Sequence, residues 1–158
     1  MKQFIFPLES IRTLRKQKER AAQQRYAKAL AACDTAAAQL QLAVEELSGA
    51  WDSLVQKLVH GLESEKIMEL RTWCTVLEIR RNERKAALEE ARRLSDAAFR
   101  EMVSAARERE SLDRFYEKSR TAHEREALRE EQKNFDELAV QMNGVNSLLQ
   151  FAGHGHLN

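Results

Sequence analysis

The sequence predicts an all-α fold in which two long helices form an antiparallel coiled-coil hairpin, an elongated rod with no thick core. Three observations carry this. Stepping by fours and threes from Tyr26 gives Leu30, Cys33, Ala37, Leu40, Val44, Leu47, Trp51, Leu54 and Leu58, every stop apolar or aromatic. Such a line recurs every 3.5 residues and forms one seam that must meet another helix to leave water. The 158 residues include one proline and five glycines, with 32% charged and 6% aromatic residues, a composition of long helices and few loops. One convincing break, His60-Gly61-Leu62-Glu63-Ser64, separates two periodic stretches.

The chain is read as a single unit over 1–158. Helix one is placed at about 7–59. Phe4 and Phe6 precede Pro7, and a proline suits the first helical position because its missing N–H is not needed there. The turn is placed at 60–64. Gly61 is a good stop, and Ser64 followed by Ile67 a good restart. Helix two is placed at about 65–142. Its stripe is Ile67, Leu70, Trp73, Cys74, Leu77, Leu88, Ala91, Ala98, Met102, Ala105, Leu112 and Tyr116, interrupted by Arg81 and Arg84. Asn143-Gly144 is a candidate break, and 151–158 is expected to be a flexible tail.

A short turn makes long helices antiparallel. Setting Leu58 opposite Lys66 gives partner numbers that sum to about 124. Leu8 then lies near Tyr116, Cys33 near Ala91 and Cys74 near Ala50, and Trp51 and Trp73 are expected to pack together. Helix one is used up near Arg120. Residues 121–142 then either project, with Leu128, Phe135, Leu138 and Met142 uncovered, or fold back as a short third helix.

Net charge is +1, which gives no overall pull toward nucleic acid or membrane. Residues 1–30 carry eight basic and two acidic side chains, and 31–70 carry two and seven. Cys33 and Cys74 have neither metal spacing nor a disulfide framework and read as free thiols. No apolar run is long enough to span a bilayer. The opening Met1–Pro7 is too short and too soon charged for a signal peptide, so a cytoplasmic protein is expected.

No nucleophile with a base, phosphate-cradling glycine loop or paired carboxylates in a cleft can be found, so no catalytic residue, cofactor or metal site is assigned and no enzyme is expected. His154 and His156 on a loose tail are poor metal ligands by themselves. Glu124, Glu126, Glu130 and Glu131 read as a solvated helix face.

Two segments carry a family resemblance. The opening Phe4-Ile5-Phe6-Pro7-Leu8-Glu9-Ser10-Ile11-Arg12-Thr13-Leu14-Arg15 resembles a Phe-x-Phe-x-Leu start leading into a charged helix. The late stretch Glu131-Gln132-Lys133-Asn134-Phe135-Asp136-Glu137-Leu138-Ala139 resembles an acidic-Gln-Lys, hydrophobe, Asp-Glu, hydrophobe motif. Between them, Leu70-x-x-Trp73-Cys74-x-x-Leu77 matches an aromatic-rich stretch after the hairpin turn. In length and order these look like the flagellar FliJ family of type III export proteins and its virulence-system counterparts called YscO.

The resemblance implies a two-helix coiled coil similar to the central stalk of rotary ATPases. It implies partners: the hexameric export ATPase, the cytoplasmic domain of the export gate, and export chaperones. A monomer, peripheral at the cytoplasmic face of the inner membrane, is expected. By the same resemblance Trp73 and Leu77, with Arg80 and Arg84 one turn on, fall where the family contacts the gate. Gln132, Lys133, Phe135, Asp136 and Glu137 fall at the ATPase ring.

Two other readings stay open. One is a structural coiled-coil spacer, which the heptads explain without the terminal motifs. The other is a nucleic-acid-binding rod using Arg12, Arg15, Lys16, Lys18, Arg20, Arg25 and Lys28, although these lack interleaved aromatics.

Overall fold

The computed structural model describes residues 3–61 and 63–153, with side chains as far as Gly144. His154, His156 and the rest of 154–158 lie outside the described residues, as does Leu62. Two helices are present, α1 at Glu9–Val59 and α2 at Ser64–Gly153, and no strand is found among the described residues. The helices pack against each other as a hairpin. Two units are distinguished: Leu14–Arg109, and Met1–Thr13 with Glu110–Asn158.

Helix ends follow local chemistry. Phe6-Pro7-Leu8-Glu9 is a turn closed by the Glu9 N–H donating to the Phe6 carbonyl at 3.3 Å, with proline in the second position where its fixed φ is favoured. The first helical bond follows, from the Arg12 N–H to the Leu8 carbonyl at 2.9 Å. Pro7 therefore precedes α1 and does not open it. At the other end Gly61 takes φ +76°, the left-handed conformation that ends a helix cheaply only at glycine. The Glu63 carbonyl then accepts from the Ile67 N–H at 3.2 Å and starts α2.

In the Leu14–Arg109 unit, cross-helix bonds fix the register. Arg84 donates to Gln39 at 2.8 Å, Arg80 pairs with Glu46 at 3.1 Å and Arg25 with Glu101 at 3.5 Å. These partner numbers add to 123, 126 and 126, so the sum of about 124 expected from the turn holds along the unit.

The seam runs in a different phase from the one the apolar line suggests. Tyr26, Cys33, Leu40, Leu47 and Leu54 are buried or half-buried as expected. The alternate column, however, is Ala22, Ala29, Ala36, Ala43 and Ala50, whereas Leu30, Ala37, Val44, Trp51 and Leu58 are exposed beside it. On α2 the two columns are Ile67, Cys74, Arg81, Leu88, Ser95 and Met102, and Leu70, Leu77, Arg84, Ala91, Ala98 and Ala105, all but Arg84 at least half-buried.

Size explains the phase. At a register of 124, Ala22, Ala29, Ala36, Ala43 and Ala50 meet the levels of Met102, Ser95, Leu88, Arg81 and Cys74. Tyr26 and Cys33 meet those of Ala98 and Ala91. In most layers a small residue faces a larger one, so the helices come close without voids. Ala43 leaves room for the aliphatic stem of Arg81, which is how a charged residue occupies a seam position. Leu47 and Leu77 share one layer, and both are buried.

The two tryptophans make no ring contact. Trp51 follows the Ala50 column and Trp73 precedes Cys74, so by heptad position they flank the seam on opposite edges. The expected Trp51–Trp73 packing is thereby corrected. Register put them at one level, but helix phase put them on different sides.

The other unit combines the N-terminal arm, the first turn and a half of α1, and the last part of α2. Phe6 is buried, with its ring 5.1 Å from that of Tyr116 and 5.9 Å from that of Phe115. Phe4 reaches further, 5.7 Å from Tyr116 and 5.4 Å from His123. Arg12 lies over the Tyr116 ring at 4.1 Å and donates through Nε to Asp113 at 2.7 Å. That bond is the main reason its guanidinium binds its proton more tightly than usual.

Beyond His123 α2 continues, and the side-chain bonds of Arg129 and Gln132 stay within the helix, to Glu126 and Asp136. Asn143-Gly144 does not end it, and 151–153 are helical. Helix two thus does not stop near Met142, and no third helix folds back among the described residues. A glycine inside a helix costs only about 1 kcal/mol, and the backbone of Gly144 is not in the left-handed region that would stop one.

Candidate partner-binding surfaces

The expected site residues fall into two places, one in each unit. In the Leu14–Arg109 unit, Trp73 and Arg80 sit one heptad apart on one edge of the pair. The indole is 45% exposed. The Arg80 guanidinium lies 5.9 Å from its ring and is held by Glu46 across the seam. Arg84 is exposed and donates to Gln39. Leu77 behaves differently: it is 1% exposed and fills the layer with Leu47, so it presents no surface of its own. The structure brings Trp73, Arg80 and Glu46 together, and Leu77 fixes the helix behind them.

In the second unit, Gln132, Lys133, Phe135, Asp136 and Glu137 all lie on the uncovered part of α2 and all are exposed. Gln132 donates to Asp136 at 3.0 Å, one turn on. Phe135 is 67% exposed, in line at seven-residue steps with Leu128 and Met142, and Leu138 is exposed nearby. Counted in sevens, Leu128, Phe135 and Met142 occupy the position of Thr72 and Ile79, on the face away from the seam. The line is therefore a new surface, and at ~1.5 Å per residue the stretch from Glu124 to Gly144 is roughly 30 Å long. Leucine, phenylalanine and methionine are thus exposed in a row on this part of α2.

The basic N-terminal segment is partly consumed internally. Arg12 bonds Asp113, Arg15 bonds Glu108 and Arg25 pairs with Glu101. Three of the seven cations that a nucleic-acid reading would need thus hold the fold together. Glu19 likewise accepts from Arg109 at 2.6 Å. No group of three or more potential metal ligands occurs among the described residues, and none of their helices is long and apolar enough to cross a membrane. Sequence reasoning missed the aromatic clasp of Phe4, Phe6, Phe115, Tyr116 and His123. Its one signal was the register, which put Leu8 beside Tyr116.

Comparison with known proteins agrees with this architecture. The fold is similar to that of a solved structure described as a YscO homolog from Chlamydia trachomatis, with a TM-score of 0.68, 18% identity, and coverage of 92% of this chain and 99% of that one. No curated protein matches. The family model described as "Flagellar FliJ protein" matches residues 3–146. With residues 3–146, nearly its whole length, matched, this chain belongs to the FliJ family, a non-enzymatic family of the type III export apparatus.

Proposed function

We propose that this chain is a stalk-like component of the flagellar export apparatus that engages the hexameric export ATPase through the uncovered end of α2. The observation that carries this reading is the extension from Glu124 to Gly144. It places Phe135, Leu138 and Met142 in water on a helix that no described residue covers. A ring of six subunits leaves a narrow axial opening, which a single helix with an apolar line and flanking charges can enter. Gln132, Lys133, Asp136 and Glu137 supply the polar flanks, and Phe135 the anchor, as an aromatic at the centre of an interface commonly does.

The Trp73–Arg80 edge with Arg84 is the proposed contact for the cytoplasmic domain of the export gate, and export chaperones are the third class of partner. The chain works at the cytoplasmic face of the inner membrane, held there by these partners. The test is to delete residues 128–158 and measure stimulation of the export ATPase together with helicity. The seam from Ala22 to Leu54 is untouched by this deletion, so the truncated chain should remain helical and lose stimulation. A helical truncated chain that stimulates fully would refute the assignment.

A further inference from the structure

Beyond Ala22, toward the start of α1, the seam of the Leu14–Arg109 unit keeps its spacing and changes its chemistry. Glu19 continues the column of Tyr26, Cys33, Leu40, Leu47 and Leu54, and Arg15 continues that of Ala22, Ala29, Ala36, Ala43 and Ala50. On α2, Arg109 continues the column of Leu88, Ser95 and Met102. All three charged residues are half-buried. At a register of about 124, Arg15 and Arg109 share one layer, and Glu19 meets the level of Ala105.

Two guanidiniums in one layer repel, and arginine does not shed its charge to relieve this. Each is bridged by a carboxylate from the opposite helix. Arg15 donates to Glu108, and Arg109 donates through Nε to Glu19 at 2.6 Å. The Glu19 side chain is 15% exposed, so a carboxylate occupies a place that a tyrosine or leucine fills further along. Beside these layers runs an open groove lined by Lys18, Ala22, Arg25, Glu101, Ala105 and Glu108. This end of the seam thus buries little apolar surface. Over residues 22–54, by contrast, every layer holds at least one apolar side chain.

We propose that Arg15, Glu19, Glu108 and Arg109 form a charge latch. Residues 15–21 of α1 and 103–109 of α2 part locally when the two carboxylates are screened or removed, and the seam over 22–54 stays closed. Burial of apolar surface closes that seam, and salt does not weaken it. Ion pairs between partly exposed groups behave differently, because the screening length falls from about 10 Å at 0.1 M salt to about 3 Å at 1 M. Opening frees about two turns of each helix, so the paired length of this unit is set by its ionic surroundings. The latch concerns the Leu14–Arg109 unit alone and stands whether or not the α2 extension meets the ATPase.

The test is amide hydrogen exchange of the full chain at about 0.05 M and about 1 M sodium chloride. In the unmodified chain, amides over 15–21 should exchange at least about fivefold faster at the higher salt, with those over 29–54 unchanged. A Glu19→Gln/Glu108→Gln chain should exchange at 15–21, in both conditions, as fast as the unmodified chain does at high salt. Arg15→Ala/Glu19→Leu/Arg109→Leu carries the alanine column and its larger partners through these layers. Replacing such ion pairs by packed apolar side chains is commonly neutral or stabilising. That chain should be protected over 15–21 and indifferent to salt. Exchange over 15–21 in the unmodified chain that ignores salt, or that rises only in step with 29–54, overturns the latch. So does slow exchange of the glutamine variant at low salt, or a salt dependence that persists in the apolar one.

Discussion

Ala36 and Ala37 are neighbours in sequence, chemically identical, and assigned opposite environments. Ala36 is half-buried in the seam at the level of Leu88, whereas Ala37 is exposed on the flank. Replacing each in turn by leucine tests the phase of the hairpin, because the change in helix propensity is the same at both positions and cancels. At position 36 three added carbons must enter a layer already filled by Leu88, itself 6% exposed. Overpacking of that kind costs about 1–3 kcal/mol. For a chain of this length each kcal/mol moves the melting temperature by roughly 2–4 °C, so a fall of roughly 2–12 °C is expected. At position 37 the added carbons remain in solvent, and the melting temperature should hold to within about 2 °C. Thermal unfolding followed by circular dichroism measures both. Ala37→Leu proving the more damaging would refute the alanine column and restore the apolar line as the seam.

Leu77→Ala should cost about 2–5 kcal/mol, the usual range for a leucine truncated inside a packed layer, whereas Trp73→Ala should cost far less and act on partner binding instead. Chemical denaturation of both variants measures this, and equal costs would be the contrary result. Gly61→Ala should cost roughly 1 kcal/mol through backbone conformation alone, since nothing lies within 4 Å of an added Cβ. A stability unchanged by that substitution would contradict the turn geometry. Phe6→Ala should raise amide hydrogen exchange at Glu9–Thr13 while leaving Ala22–Leu54 protected, because it removes the ring packed on Phe115 and Tyr116. Unaltered exchange at Glu9–Thr13 would show that the clasp does not hold the arm.

What could be read from the sequence was set by periodicity and chain reversal. The turn at Gly61, the antiparallel sense and the register followed from one break between two periodic stretches. The structure's cross-helix bonds from Arg84 and Arg80 repeat that register. Phase was harder. Leu30, Val44, Trp51 and Leu58 outweigh Ala29, Ala43 and Ala50 in hydrophobicity, so reading by hydrophobicity chose the wrong alternate column. Close approach of two helices is decided by size, and a heptad of alanines makes a seam while larger residues stay beside it. The same preference for large residues paired Trp51 with Trp73 across edges they do not share. The end of α2 was misjudged because Asn143-Gly144 looks like a stop, whereas a helix loses little by carrying one glycine. The apolar line from Leu128 to Met142 was legible, since seven-residue spacing shows in sequence whether or not a partner is present. Its position on the face away from the seam needed the structure.

The proposed role of the α2 extension is tested most directly by photo-crosslinking. A photoreactive side chain at position 135, with position 55 on α1 as a control, is irradiated in the presence of the export ATPase. A covalent adduct with the ATPase is expected from position 135 and none from the exposed Val55 position. An adduct from position 55 with none from position 135 would contradict that role.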